Sequence, residues 1–451
     1  MVIRRIIDRV STAVQKTEST APLAVFRIVF GLMMLSSIIR FWAKGWIHEL
    51  YIAPKFYFSY TNFEWVKPLG DPGMYILFAL CGVFALAIAL GFFYRFATIG
   101  FFLTFTYIEL LDKTNYLNHY YFISVAALFL IFIPANRRFS LDIKLGRVQQ
   151  AITTPAFYRI LLMLQLGMVY FFAGLAKLNS DWLIHAQPLK IWLKAYGHWP
   201  VVGSLFDSNW LPYVFSWSGA IYDLSIPFFL LINRTRPFAY LAVIGFHVMT
   251  AILFPIGMFP FIMIGATLIF FPPVFHDRIL SILGESIEQT VSRVRLPSKF
   301  IRVGLGVFLI FQILFPFRHF LYPGELFWHE QGYRFSWRVM LMEKAGTAFY
   351  YVQNDEMPRP LFVDNREFLT PLQEKMMSTQ PDMLVEFAHF LKTHFENQGV
   401  ENPIITADVY VTLNGRQSTR FIDNTVDLSN VEDSWKPKRW VLPFDDEIIG
   451  L

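Results

Sequence analysis

The chain has 451 residues, 55% of them hydrophobic and only 16% charged, with 49 Phe and a mean hydropathy of +0.42. A soluble domain carries roughly 25% charged residues, so this composition excludes an ordinary soluble protein and describes a membrane protein. The net charge of +5 sits in short loops beside apolar runs, where it sets orientation and argues against a nucleic-acid partner; the single Cys81 excludes a disulfide framework or thiol metal cluster and reads as a small buried hydrophobe.

Residues 1–20 are polar and basic, and the run after them is long enough to cross, so the first span is expected to be a retained anchor and not a cleaved signal. A span needs roughly 20 mostly apolar residues. Nine runs meet or approach that: about 22–42, 72–93, 96–111, 119–135, 157–176, 211–232, 237–255, 257–273 and 301–316. The pair flanking Pro255-Ile256-Gly257 reads alternatively as one broken or re-entrant element, which makes eight and would put the C-terminal region in the cytoplasm. Arg4, Arg5, Arg9, Arg95, Arg137, Arg138, Lys144, Arg147, Arg234 and Arg236 fall on one side with Arg278, Arg293, Arg295, Lys299 and Arg302, which puts that side and the N-terminus in the cytoplasm. The opposite side receives 43–71, 112–118, 177–210 and everything after Pro316. Trp42, Trp46, Trp65, Trp182, Trp192, Trp199 and Trp210 form an aromatic belt there, and the long loops are expected to hold short interfacial helices.

From Phe317 the composition becomes that of a soluble α+β domain. Strands are expected at 347–353 and 361–364, and helical periodicity over 372–396 breaks near Pro381. Runs 404–413 and 416–422 alternate around Asn414-Gly415, a hairpin signal because a type I′ turn needs positive φ at both central residues. The expected fold class is a polytopic α-helical membrane protein of nine spans, or eight, with a C-terminal α+β extramembrane domain. Residues 1–316 form the membrane part, and 317–451 a domain docked on its outer face.

No Gly-rich nucleotide loop, nucleophile elbow, zinc-protease motif or paired Cys-x-x-Cys is present, so no metal or nucleotide cofactor is expected. What remains is polar residues in or beside apolar runs. Lys113 lies in a polar island, Asp112 to Asn118, between two of them. It reads either as a snorkelling anchor or as a base, since desolvation disfavours the ammonium and leaves an amine able to take a proton. Asp112 opposes that if it pairs with Lys113 directly. His119 orients the base, hydrogen-bonds a substrate oxygen or caps the next helix as an interfacial histidine, with Asn118 beside it. Lys177, next to the Trp182 belt, reads as a snorkelling lysine or a substrate cation. Asp223 and His247 lie well inside the sixth and seventh spans, where such groups face the bundle interior and serve either a helix–helix hydrogen bond or a substrate. His319 and the run 328–342, with Tyr333, Arg334, Trp337, Arg338 and Met340, mix aromatic, Met and Arg side chains suited to a flat quinone-like ring or a docking peptide, or to a plain belt.

Leu111-Asp112-Lys113-Thr114 followed by Asn118-His119 resembles the corresponding island of the vitamin K-dependent gamma-glutamyl carboxylases. Further blocks match in order: Tyr170-Phe171 with Ala173-Gly174, Lys177-Leu178 and Asp181-Trp182; Asp223-Leu224-Ser225; Phe246-His247 with Ile256-Gly257-Met258-Phe259; His319-Phe320-Leu321; Ser336-Trp337 with Met340; and Asp423 with Val426-Asp427. The series covers nearly the whole chain. The resemblance implies that Lys113 takes a proton from reduced vitamin K or menaquinol and that oxygen then adds. The strong base so formed removes a γ-proton from a Glu-containing protein or peptide, which captures CO2 while the quinone becomes an epoxide. Arg334, Arg338 and Lys177 are the candidates to hold the glutamate carboxylate. Phe335 and Val339 stand where the animal enzymes carry Tyr and Met. The animal intrachain disulfide is impossible with one cysteine. The animal enzymes continue past the equivalent of Pro443, so animal-type propeptide recognition is not expected. A bacterial member in the inner membrane using menaquinol, with its C-terminal domain periplasmic and in contact with lipid and quinone, is the expectation. The alternatives are a quinol epoxidase without protein carboxylation and a non-catalytic lipid- or quinone-binding membrane module.

Overall fold

The computed structural model describes residues 11–286 and 292–450, so the expected basic flank of Arg4, Arg5 and Arg9 lies outside the described residues. Each of the nine apolar runs folds as helix: α1 (Ala21–Ala43), α2 (Gly70–Leu90), α3 (Tyr94–Leu110), α4 (Asn118–Phe132), α5 (Phe157–Leu175), α6 (Leu211–Leu231), α7 (Arg236–Leu253), α8 (Phe259–Thr267) and α10 (Lys299–Leu314), with α9 (Pro273–Ile282) before the last. Among the described residues, six helices are long and apolar enough to cross a membrane, seven if α8 and α9 with the turn between them count as one broken span. The expected nine spans are therefore not supported. The polar island holds α3 to 17 residues and α4 to 15, and Pro272-Pro273 turns the chain by 113° between Phe270 and α9.

Small residues set the spacing of the bundle. A Cβ on Gly31 of α1 would stand 2.5 Å from the Ala89 amide nitrogen of α2, so the two backbones touch as membrane helices do at small residues. One turn earlier, buried Arg27 donates to Ile88 and Ala89 carbonyls (3.0 and 2.9 Å), a cation on the negative end of α2. The acidic residue of the third run, Glu109, accepts from Ser124 Oγ of α4 at 2.6 Å. Gly174 of α5 lets the Leu224 amide of α6 approach, since a Cβ would meet its nitrogen at 2.6 Å.

At the basic end, a small sheet unforeseen in the sequence joins β1 (Thr17–Ser19), β2 (Ala151–Pro155) and β3 (Ser292–Arg293) in that order, β1 antiparallel and β3 parallel to β2. Arg138 there pairs with Asp277 and Glu285, each at 2.7 Å, and Arg159 with Glu18 at 2.8 Å.

The C-terminal region is a four-stranded antiparallel sheet in the order β5-β4-β6-β7, from β4 (Lys344–Gln353), β5 (Leu361–Val363), β6 (Ile404–Leu413) and β7 (Thr419–Arg420). Two helices cover it, α11 (Pro371–Met377) and α12 (Pro381–Asn397). Ile405, Ala407, Val409, Val411 and Leu413 are buried at every second position of β6, and the Tyr350 hydroxyl of β4 donates to Leu384 O of α12. Asn414 (φ 51°) and Gly415 (φ 80°) both take the positive φ expected of the hairpin. β7 is shorter than expected because Arg416 leaves the ladder for Asp181 (2.7 Å) and Asp446 (2.8 Å).

Several polar links join this region to the loops of the bundle. Arg416 and Asn414 both donate to Asp181, Ser180 N donates to Ile449 O, and Gln373 Nε2 donates to Asp112 Oδ2 and Phe56 O. Phe58, Trp182 and Leu189 of the loops share one apolar core with the sheet and α12.

Candidate functional site

The island folds as a 3-10 turn, Lys113–Asn115, capped by Asp112, whose carboxylate accepts from Thr114 N at 2.8 Å. The other oxygen of Asp112 accepts from Gln373, so Asp112 does not hold the lysine. Burial pushes the Asp112 carboxyl up to about 6 against those hydrogen bonds.

The side chain of Lys113 is 1% exposed, and its Nζ lies 3.0 Å from Asp382 Oδ2 and 2.9 Å from Glu386 Oε2. Both acids belong to the first turns of α12 at i and i+4, hence on one face, and the N-terminal end of a helix favours them. Arg334 Nη1 binds the same Asp382 oxygen at 2.6 Å and its other nitrogen reaches Gln380. Burial works to lower the Lys113 pKa, but Asp382 and Glu386 outweigh it and hold the ammonium above its usual value. Burial likewise opposes Asp382, which Arg334 and Lys113 nevertheless hold well below the carboxylate range, whereas burial prevails at Glu386 and raises it. Lys113 is thus a charged ammonium in this arrangement.

Lys113, Arg334 and Glu330 form a wall between two cavities. One, of about 300 Å³, continues past Tyr60, Arg318, Asp433 and Lys438. The other, of about 520 Å³, is lined by Arg40, Asn118, His119, Phe259, Tyr333, Arg338, Met340 and Lys344. It shares Ile256, Phe259, Val339 and Met340 with a third, apolar cavity of about 80 Å³ among α5, α6 and α7.

That third cavity brings together Lys177, Asp223 and His247. Lys177 Nζ pairs with Asp223 Oδ2 at 2.8 Å and donates to Ala173 O, an arrangement set by the Gly174 contact one turn away. His247 Nε2 lies 3.2 Å from the Tyr170 hydroxyl, which meets Thr267 Oγ1 at 3.1 Å, while His247 Nδ1 meets no partner among the described residues.

Asn118 holds the loop 330–342 onto the island by donating to Arg338 O at 2.8 Å, and its Oδ1 accepts from Tyr116. Phe335, Trp337 and Met340 in that loop have φ between 52° and 59°, strain of a kind that clusters at functional sites. Trp337 lines none of the cavities above; it is fully buried and stacked on Tyr121 at 4.7 Å. His319 sits away from Lys113, facing Arg338 at 3.3 Å. Sequence reasoning missed Asp382, Glu386, Glu330, Lys344 and Arg40. The available signal was two acids at i, i+4 spacing within a run whose other residues, Met383, Leu384, Val385 and Phe387, are apolar and buried.

These features define a membrane protein with a buried lysine–carboxylate cluster where its bundle meets a C-terminal domain. The family model for the HTTM domain matches residues 15–275, and that for the vitamin K-dependent gamma-carboxylase lumenal domain matches residues 297–447. No solved structure matches the chain. The chain belongs to the gamma-glutamyl carboxylase family, a family of carboxylase-like membrane enzymes for which reduced vitamin K is the implied co-substrate and a glutamate-containing chain the implied substrate.

Proposed function

We propose that the protein is a quinol-dependent γ-glutamyl carboxylase of a bacterial inner membrane, with residues 1–316 as the membrane part and 317–451 as an extracytoplasmic domain. It couples epoxidation of a menaquinol-type naphthoquinol by O2 to proton abstraction from protein glutamate and its carboxylation by CO2. The observation that carries the reading is Lys113, fully buried yet in the wall of two cavities, with two carboxylates on its amine. The larger cavity, about 520 Å³, lies within the roughly 300–1,000 Å³ of ligand pockets, and the apolar walls it shares with the third cavity suit a flat ring and tail. With oxygen, the quinol supplies the strong base for the γ-proton.

The chain's own part is proton handling. Lys113 starts as an ammonium, so it must shed a proton before it accepts one. Glu386, 2.9 Å away and raised by burial, takes it, leaving a neutral amine beside a neutral acid. Exclusion of water by a ligand favours that neutral pair over the ion pair. The amine then accepts the quinol hydroxyl proton, and Arg334 keeps Asp382 ionised and in place.

The test uses purified full-length protein with menaquinol, oxygen, labelled hydrogencarbonate and a Glu-containing peptide. Epoxide with label in the peptide is expected. Epoxide without label would leave a quinol epoxidase, and neither product would leave a binding module.

A further inference from the structure

Of the three cations considered for holding a carboxylate, two are already paired: Arg334 with Asp382 and Lys177 with Asp223. Arg338 is not. Its side chain is buried, the residue being 5% exposed, and its Nε and Nη1 meet no hydrogen-bond partner among the described residues. Its Nη2 faces only the His319 ring, at 3.3 and 3.4 Å from the two nitrogens. An unpaired buried cation is strongly disfavoured, so a guanidinium held this way calls for an anion.

The space for one is present. Arg338 stands between the Lys113 cavity and a further cavity of about 250 Å³ lined by Asn179, His319, Tyr322, Glu325 and Gly450. Glu325 shares that cavity and its charge acts on Arg338 from a distance, but it forms no ion pair with Arg338 among the described residues, and its Oε1 accepts from Phe327 N at 3.0 Å. The main chain that carries the guanidinium is held in place, since Arg338 O accepts from Asn118 of the Lys113 island. Burial pushes the Arg338 pKa down to about 10, which leaves it charged at neutral pH.

We propose that Arg338, with His319 beside it, is a carboxylate-binding site opening on the Lys113 cavity, and that it takes the γ-carboxylate of a glutamyl residue. Nε and Nη1 are free donors on opposite edges of the guanidinium, so a carboxylate on either edge takes a charged hydrogen bond from one of them. Choosing a glutamyl side chain builds on the carboxylase reading; the same chemistry would accept hydrogencarbonate, and the test separates the two.

Binding of N-acetyl-glutamate α-methyl ester, its glutamine isostere and hydrogencarbonate is measured on the full-length protein in detergent, without quinol or oxygen. The glutamate compound is expected to bind about tenfold more tightly than the glutamine one, the scale of a charged hydrogen-bond pair. Arg338→Met should abolish that preference and Arg338→Lys should keep part of it. Binding of hydrogencarbonate alone, lost in Arg338→Met, would keep the carboxylate site and reassign its occupant. Equal affinity for the two esters without hydrogencarbonate binding, or a preference that survives Arg338→Met, overturns the proposal. Should Arg338→Met fail to fold, the wild-type comparison and Arg338→Lys decide it. No turnover is needed, so an absence of carboxylation would count against the carboxylase reading and leave this result standing.

Discussion

Two buried lysines look alike in the sequence and differ in the structure. Lys177 makes one pair with one carboxylate, Asp223, on the helix packed next to it, and Gly174 brings that helix close. Lys113 faces two carboxylates on an element 269 residues away, with a guanidinium on the far side of one of them. The first is a closed pair between membrane helices. The second has a spare carboxylate, two cavities and partners carried by a region that folds largely on its own sheet. A lysine meant to exchange a proton needs an acceptor beyond its counter-ion, and only Lys113 has one.

The largest effect that would break this contrast is at Lys113. Lys113→Ala should lower epoxide formation by about 10²–10⁴-fold, the usual contribution of a positioned base, read by product chromatography against Lys177→Ala in the same membranes. Next is stability at the closed pair. Lys177→Met should cost about 3–5 kcal/mol, because it strands a buried carboxylate, and Lys177→Met with Asp223→Leu should recover most of it, as followed by thermal unfolding in detergent. A single variant that keeps full stability would show that the pair does not bind the bundle. Glu386→Gln should slow epoxidation roughly tenfold with little change in the menaquinol KM, since Asp382 remains as a poorer acceptor; unchanged turnover would remove Glu386 from the proton path.

The smallest effect is on pH. Asp382 lies well below the usual carboxylate value, so its stabilisation is complete above the unfolded value of about 3.9 and is lost as pH falls toward the folded one. Glu386, raised by burial, has the opposite sign and cannot produce an acid loss. Protection of α12 in hydrogen exchange should therefore fall below about pH 4 and do so less in Asp382→Asn.

Much of the frame was legible in the residues. Apolar runs placed the helices, Asn414-Gly415 placed the hairpin, and the alternation in 404–413 placed the buried face of β6. The span count was not, because the polar island cuts α3 and α4 short and Pro272-Pro273 breaks the chain after the eighth run, and a hydropathy pattern shows neither helix end. The island identified Lys113, but not its charge. Asp112 is its neighbour in sequence, yet Asp112 serves Thr114 and Gln373, and the acids that matter arrive through docking of the sheet domain. Likewise, charge alone made Arg334, Arg338 and Lys177 equivalent, and only the pairing separates them.

The most direct measurement is epoxide and peptide-bound label counted together, in the wild-type chain and in Lys113→Ala, with menaquinol, oxygen, labelled hydrogencarbonate and a Glu-containing peptide. Both products from the wild type and loss of both in the variant are predicted. Undiminished epoxide from Lys113→Ala would contradict Lys113 as the base.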